Sequence, residues 1–247
     1  MTNLCVKFLG SGDAFGSGGR FQTCIFIESE QTGFLLDCGA SALISMKQFG
    51  VNAHDIDSIL LTHLHGDHFG GIPFFILDSQ LISRRTKPLL IAGPPGLQER
   101  IVDAMEINFP GSSKVKRKFK ILFEELPETI STRLGALKVT PFGAIHGSGA
   151  PSYILRVEVD GKTIVYSGDT EWSDILIKAV DGADLFICET YYYDKRMKNH
   201  MTYQDLVEHR GDLNCRRIIA THMSQDLLDR RTSLELECAE DGKVIAL

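Results

Sequence analysis

Three histidines and an aspartate fall within six residues of this chain, His63-Leu64-His65-Gly66-Asp67-His68, directly after the apolar run Ile59-Leu60-Leu61. Imidazole ligates zinc, iron, copper and nickel, and a carboxylate beside it shifts preference toward hard or borderline dications such as Zn²⁺ or Mn²⁺. A solvated turn accounts for one histidine, but not for three alternating with an acid at the exit of a buried strand. The chemistry indicated is metal binding. An open catalytic site needs more ligands than one loop supplies, and they belong at strand ends elsewhere. His146 in Gly143-Ala144-Ile145-His146-Gly147, Asp169 in Ser167-Gly168-Asp169-Thr170 and His222 in Ala220-Thr221-His222-Met223 each follow an apolar strand. Singly, each reads as a hydrogen-bonded turn residue; beside the histidine cluster, each is a candidate ligand.

Positioning these groups requires strands that end together. Apolar runs predict strands over 6–9, 23–27, 33–36, 58–61 and 89–92, then over 136–141, 152–159, 162–166, 185–188 and 217–220, with an edge strand at 243–246. Asp160-Gly161 is a hairpin signal between two of them. Helical periodicity covers 40–49, 69–83, 95–108, 173–180, 202–209 and 224–239, with Pro73 putting the first turn of the second at Gly71-Ile72-Pro73. Ser173 is the expected N-cap of one helix, and Thr202 caps another in a capping box with Asp205. Strands and helices in both halves imply a mixed α/β fold, with two sheets packed together and helices outside. No linker, repeat or low-complexity stretch divides the chain, so one domain over 1–247 is expected.

Composition bounds the function classes. A chain of 247 residues, 43% hydrophobic and 23% charged, buries a sizeable core and is ordinary for a soluble protein. The net charge of −6 argues against non-specific binding to nucleic acid or anionic membranes, without excluding a local basic patch. The first residues lack the pattern of a signal peptide, and no apolar run reaches the length of a membrane span. Six scattered cysteines without a CxxC pair are used as small hydrophobes, as in a reducing compartment, so free thiols and a cytoplasmic location are expected.

The motif Thr62-His63-Leu64-His65-Gly66-Asp67-His68, the upstream Leu36-Asp37-Cys38-Gly39, and His146, Asp169 and His222 in that order resemble the metallo-β-lactamase-fold hydrolases. The likeness runs from Phe8-Leu9-Gly10-Ser11-Gly12 to Ala239-Glu240-Asp241-Gly242. It implies a four-layer αββα sandwich with two divalent metal ions at one edge, zinc first, with manganese or iron as alternatives. Carried over residue by residue, it gives His63, His65 and His146 to one ion, Asp67, His68 and His222 to the other, and Asp169 to both. Asp37 would fix the histidine loop by hydrogen bonding.

Branches of that family differ at these positions. Class B β-lactamases have Cys where this chain has Asp169, and flavodiiron oxidoreductases have an acid where it has His65. Glyoxalase II-like thioesterases carry an extra C-terminal helical region, whereas twenty-five residues follow His222 here. The chain is most similar to the RNase Z-like phosphodiesterase branch. Glu189, in Cys188-Glu189-Thr190, and His200, in His200-Met201-Thr202, match that branch's Glu and His-x-Thr motif, in which the Glu holds the His toward the metals. By position alone, His200 would be a surface residue before a helix cap.

The implied reaction is phosphodiester hydrolysis by a metal-bridging hydroxide. Asp67 would orient or deprotonate the nucleophile, and His200, polarised by Glu189, would protonate the leaving oxygen. The tRNA-processing members generally carry a long basic arm, often between the ligands matching His146 and Asp169. Only twenty-two residues separate these here, and strands use nearly all of them. A small ester substrate, a cyclic or nucleotide-like phosphodiester, is therefore expected ahead of long nucleic acid. A tRNA 3′-processing endonuclease, a lactonase and an aryl sulfatase on the same metal centre are the alternatives. A homodimer is what the resemblance suggests, and no membrane partner is expected.

Several features keep two readings. The basic segment Lys114-Val115-Lys116-Arg117-Lys118-Phe119-Lys120 either touches phosphate or is a solvated face. Gly16-Ser17-Gly18-Gly19-Arg20 is either a backbone cradle for phosphate or a hairpin over the site. Trp172 and Tyr191-Tyr192-Tyr193 either line a pocket or pack the core. A non-catalytic binding module would be expected to have lost ligands, and all seven positions are filled.

Overall fold

The computed structural model describes residues 4–247. Its first half carries β1 (Cys5–Gly10), β2 (Cys24–Glu28), β3 (Gly33–Leu36), α1 (Ala42–Gln48), β4 (Ser58–Leu60) and α2 (Gly66–Phe69). There follow α3 (Ile72–Leu81), β5 (Leu89–Gly93), α4 (Leu97–Asn108) and β6 (Ile121–Glu125). The second half carries β7 (Thr132–Leu134), β8 (Leu137–Gly143), β9 (Tyr153–Val159), β10 (Lys162–Tyr166), α5 (Ile175–Val180) and β11 (Leu185–Glu189). It continues with α6 (Tyr203–Glu208), β12 (Ile218–Thr221), α7 (Gln225–Asp229) and β13 (Glu237–Cys238), before β14 (Val244–Ala246) returns to the first sheet.

The strands form two seven-stranded sheets, ordered β14-β1-β2-β3-β4-β5-β6 and β13-β12-β11-β10-β9-β8-β7. In the first, pairing is antiparallel from β14 to β3 and parallel from β3 to β6. In the second it is antiparallel from β7 to β10 and parallel from β10 to β13. One wiring scheme is used twice, although the sequence shows no repeat.

Alternation along each strand explains the layers. Phe34, Leu36 and Leu60 point between the sheets, where they join Leu155, Ile164 and Ile187 in one buried cluster. Leu35, Ile59 and Leu61 face the other way and pack with Met46, Phe75 and Ile101 of α1, α3 and α4. Val165, Phe186 and Cys188 do the same on the second sheet, against Leu176, Leu206 and Leu227 of α5, α6 and α7. Parallel strands covered on both faces must be apolar throughout, which is why they stood out as unbroken runs. The result is the expected four-layer αββα sandwich. Each fully buried Leu, Ile or Phe contributes about 1.5–3 kcal/mol.

Some element expectations are corrected. Residues 224–239 are not one helix but α7, a turn of 3₁₀ helix at Arg231–Ser233, and β13. There the backbone N–H groups of Glu235 and Leu236 donate to the Tyr203 hydroxyl (2.8 and 3.0 Å), and β13 pairs with β12. Tertiary partners replace the helical bonds. The helix expected over 69–83 is α3, which starts at Ile72 with Pro73 in its first turn as expected. Phe69 instead ends α2, and at Gly70-Gly71 between them a side chain would strike the backbone of Gly66 and Gly39. Asp174, not Ser173, precedes α5 as its N-cap, and the Ser173 hydroxyl is buried without a partner. The short strands β6, β7 and β13 escaped the apolar pattern because they are half-exposed. The capping box holds: Thr202 Oγ1 accepts from Asp205 N (3.0 Å), and the Asp205 carboxylate accepts from Thr202 N (3.1 Å).

Candidate active site

The parallel strands of both sheets end at one edge of the sandwich, and every candidate ligand lies there. Asp37 follows β3, the histidine loop follows β4, and Asp169, Glu189 and His222 sit at the ends of β10, β11 and β12. His146 follows β8, which runs in the same direction as β10 because both pair antiparallel with β9. Two backbone bonds stitch the sheets together here: Tyr153 N to Thr62 O (3.0 Å) and His222 N to Ser11 O (3.1 Å).

Donor atoms of His63, His65 and His146 converge within 4.8 Å of one another, as do those of Asp67, His68, Asp169 and His222. Asp169 faces both groups. Its Oδ2 lies 3.9 Å from both His63 Nε2 and His146 Nε2, and its Oδ1 lies 3.3 Å from His68 Nε2 and 3.6 Å from His222 Nε2. Asp67 Oδ2 is 3.2 Å from His68 Nε2 and 3.3 Å from His222 Nε2, and His65 Nδ1 is 3.0 Å from His146 Nε2. Two donors bound to one tetrahedral zinc at about 2.0–2.1 Å lie about 3.3 Å apart, so these spacings fit edges of coordination polyhedra. Within the protein His63 Nε2, His68 Nε2 and Asp169 Oδ1 are buried without hydrogen-bond partners, which buried polar atoms rarely are. The residues fit two divalent cations.

Other groups hold these donors in place. Asp37 Oδ1 accepts from Thr62 N (2.8 Å), while its Oδ2 accepts from Thr62 Oγ1 (2.8 Å) and His68 Nδ1 (2.7 Å). That leaves His68 Nε2 free toward the cluster. His146 Nδ1 donates to the Asn199 carbonyl (2.9 Å), and Asn199 N donates to Glu171 Oε1 (2.7 Å). Glu189 accepts from Thr170 N (2.8 Å) through one oxygen and bonds His200 Nδ1 through the other. Asp37, Asn199 and His222 all adopt left-handed backbone, with φ of 56°, 70° and 58°. Non-glycine residues in that region cluster at functional sites, held there by their surroundings. Gly168 also needs it: its φ is 55°, and a Cβ would lie 2.8 Å from that of Thr62.

Electrostatics follow from burial and proximity. Burial, reinforced by the charge of His68, pushes the His63 pKa well below its usual value, and burial lowers His146 too. At His68 burial is outweighed by Asp169, Asp67 and Asp37, which hold its pKa well up. His222 behaves alike: burial opposes its charge, but Asp169 and Asp67 push its pKa up to about 9. Burial would raise the Asp67 carboxyl, yet His68 and His222 hold it far below the ordinary range. For His200, burial again favours the neutral ring, and the bond to Glu189 overturns this and raises its pKa.

His200 is thus brought to the site. Its ring centroid lies 5.2 Å from that of His146 and 6.1 Å from that of His222. It also lines a cavity of about 390 Å³ with Glu171, Trp172, Arg196, Lys198 and His209. Trp172 therefore reaches the cavity, stacked on His209 at 4.1 Å. Tyr191 packs against His200, with centroids 5.0 Å apart, whereas Tyr193 stacks on Tyr203 in the helical layer. The glycine loop is no phosphate cradle. Asp13 accepts from Phe15 N (3.2 Å) and Ser17 N (2.9 Å), Gly18 N donates to Gln225 Oε1 (2.9 Å), and Gly19 N bonds Gly16 O (2.9 Å). The basic segment precedes β6, at the end of the sheet away from the histidine loop. Glu171 and Asn199 were not foreseen: Asn199 acts through its peptide N–H and carbonyl, Glu171 through a carboxylate that accepts from that N–H, and neither belongs to a ligand pattern. All six cysteines are free, as expected, and no helix among the described residues is long and apolar enough to cross a membrane.

Two sheets with helices outside, and a histidine-aspartate centre at the ends of their parallel strands, define a metallo-β-lactamase-fold hydrolase. The protein is an RNase Z-like, metal-dependent hydrolase acting on phosphoester bonds. The structure is similar to human tRNase Z, short form (ELAC1), with a TM-score of 0.80, 28% identity and 98% of both chains covered. It has the fold of YhfI from Bacillus subtilis, with a TM-score of 0.80, 20% identity and 100% of both chains covered. In sequence it is 29% identical to the Ribonuclease Z of Methanothermobacter thermautotrophicus (strain ATCC 29096 / DSM 1053 / JCM 10044 / NBRC 100330 / Delta H) over 281 residues, covering 95% of this chain and 90% of the relative. More particularly, the chain belongs to the family described as Anti-Pycsar protein Apyc1, whose model matches residues 4–243.

Proposed function

We propose that this protein is a dinuclear phosphodiesterase whose substrate is a small phosphodiester, cyclic or nucleotide-like, rather than a long nucleic acid. The observation that carries the reading is Asp169, one oxygen of which faces His63 and His146 while the other faces His68 and His222. In this reading His63, His65 and His146 hold one divalent cation, Asp67, His68 and His222 hold the other, and Asp169 is shared. Imidazole and carboxylate donors favour zinc, with manganese or iron as alternatives. When bound, such a pair supplies an acidified water and neutralises charge on the phosphate under attack.

The chain's own residues divide the remaining work. Asp67, ionised and pointed at the cluster, orients the attacking water and accepts its proton. His200, kept protonated by Glu189, donates to the leaving oxygen. The cavity beside His200 receives the leaving half of the ester. Size supports the small substrate: about 390 Å³ accommodates a nucleotide-sized group, and the short connection between His146 and Asp169 leaves no room for an arm. Residues 1–247 acting as one domain, a homodimeric assembly and a cytoplasmic location complete the proposal, in keeping with the free thiols.

Turnover of bis-p-nitrophenyl phosphate, an acyl-homoserine lactone and an aryl sulfate by the metal-loaded protein tests the reading. Cleavage of the phosphodiester alone is expected. Preference for the lactone or sulfate would sink it, and faster cleavage of precursor tRNA than of small diesters would return the substrate to long RNA.

A further inference from the structure

At the opposite end of the first sheet, the chain entering β6 closes over the turn that follows α3 and leaves a cavity of about 320 Å³. Its wall carries Arg84, Arg85, Lys116, Arg117 and Lys118, and no carboxylate. The chain has a net charge of −6, so this is a local reversal of sign. β4, β5 and β6 are parallel and in step, so this cavity lies where β4 begins, whereas the histidine loop leaves where β4 ends.

Two of the cations are built into the wall. Arg85 is 1% exposed and donates to the carbonyls of Ala53 (2.8 Å), Lys87 (2.8 Å) and Pro88 (2.6 Å). Arg117 donates to the carbonyls of Ser112, Ser113 and Val115, and its Nε is buried with no partner. Carbonyl oxygens satisfy N–H groups without cancelling the charge. Burial lowers the pKa of both guanidiniums, and no carboxylate offsets this at Arg117. The acid whose charge reaches Arg85, Asp57, is paired with Lys87 at 2.7 Å.

Three more cations are free to move onto a ligand. Arg84, Lys116 and Lys118 are exposed and form no ion pair with any described residue. Arg84 has a φ of 50° at the turn closing α3, where Arg85 N reaches back to Ser79 O (2.8 Å). Glycine usually occupies such a left-handed terminating position, and this chain keeps an arginine there.

We propose that this cavity binds a compact, multiply charged phosphate anion of the tripolyphosphate or nucleoside-triphosphate kind, at a site separate from the metal centre. Guanidinium forks match phosphate oxygens in pairs, and lysines add mobile charge. The cations surround a concavity rather than follow the extended track that a polynucleotide backbone requires.

The test is calorimetric titration of the metal-loaded protein with inorganic tripolyphosphate and, separately, with ATP at low salt, on the wild type and on R84E/K116E/K118E. The metal centre also attracts phosphate, so two binding events are expected in the wild type. The charge-reversed variant should lose one of them, at least tenfold in affinity, with turnover of bis-p-nitrophenyl phosphate unchanged. R84G/K116A/K118A, which suits the left-handed turn and adds no repulsion, should weaken the same event. Equal affinity for the two ligands would assign the site to the phosphate chain; tighter ATP binding would show that the nucleoside is also read. Identical titrations of wild type and both variants would overturn the proposal. So would charge-dependent binding of a labelled single-stranded RNA or of phosphatidylserine vesicles when tripolyphosphate does not bind.

Discussion

Replacing Asp37 by Asn probes how the metal centre is aimed. The substitution is nearly isosteric, and Asn tolerates the left-handed backbone that Asp37 adopts at φ 56°. The carboxylate accepts three bonds: Thr62 N at Oδ1, and Thr62 Oγ1 and His68 Nδ1 at Oδ2. An amide oxygen can keep Thr62 N, but its NH₂ then stands where Oδ2 was. The Thr62 hydroxyl can rotate to accept. The imidazole of His68 cannot remain as it is, because two N–H groups would face each other. Leaving a buried donor unpaired costs about 1–3 kcal/mol, enough to drive His68 into the tautomer with its proton on Nε2. That atom is the one aimed at the cluster, 3.2 Å from Asp67 and 3.3 Å from Asp169. Loss of such a supporting contact typically weakens metal affinity about 10- to 100-fold, which is about 1.4–2.7 kcal/mol. Competition with a chelator should therefore show one cation weakened by that factor and the other little changed, with the thermal transition of the metal-free protein shifted only slightly. If both cations bind Asp37→Asn as tightly as the wild type, Asp37 does not set the tautomer and the reasoning fails.

Other outcomes follow from the same geometry. His200→Ala should lower turnover of a phosphodiester by about 10²–10⁴ with metal stoichiometry intact, and loss of metal would make His200 a ligand instead. Glu171→Gln, which weakens the grip on Asn199 N and so the support of His146, should lower the affinity for the cation at His63, His65 and His146 about tenfold in chelator competition and leave the other little changed. Metal uptake at pH 7 should release protons, visible as a dependence of the calorimetric heat on buffer ionisation, because His222 is pushed from 6.5 up to about 9 in the metal-free protein. The sign for stability is the same as for any raised histidine. The contribution is full below 6.5 and lost as pH rises through about 9, so the melting temperature of the metal-free protein should fall across that window. Gly168→Ala should destabilise the fold by about 1–3 kcal/mol in denaturant titration, since its φ of 55° and the approach of Thr62 leave no room for a methyl group.

The centre was legible because metal chemistry restricts side-chain types, and four of its groups fall in one short loop after an apolar strand. Asp169 and His222 could be read because each follows an apolar run in the parallel half of the second sheet, whereas His146 follows the antiparallel β8 and was marked by the glycines on either side of it. Glu171 and Asn199 could not. Asn199 works through a peptide N–H and a peptide carbonyl, which every residue possesses, and the Glu171 carboxylate takes that N–H from a residue distant in sequence, so no local pattern marks either. The stretch from 224 to 239 misled for a related reason: its leucines suit a helix, but the Tyr203 hydroxyl, distant in sequence, takes the N–H groups that the helix would have used. Repetition of the sheet wiring was hidden because the two halves share hydrogen-bond topology without sharing residues.

That doubled wiring gives the clustered donors a mechanical part. His63, His65, Asp67 and His68 come from one half of the chain, and His146, Asp169 and His222 from the other, so that each of the two proposed ion positions draws on both. An ion in either position would act as a rivet across the seam, so the apoprotein should open first along this margin while the packed interior stays shut. Hydrogen exchange at Thr62 and Tyr153, whose backbones meet on the seam, would report the rivet being drawn.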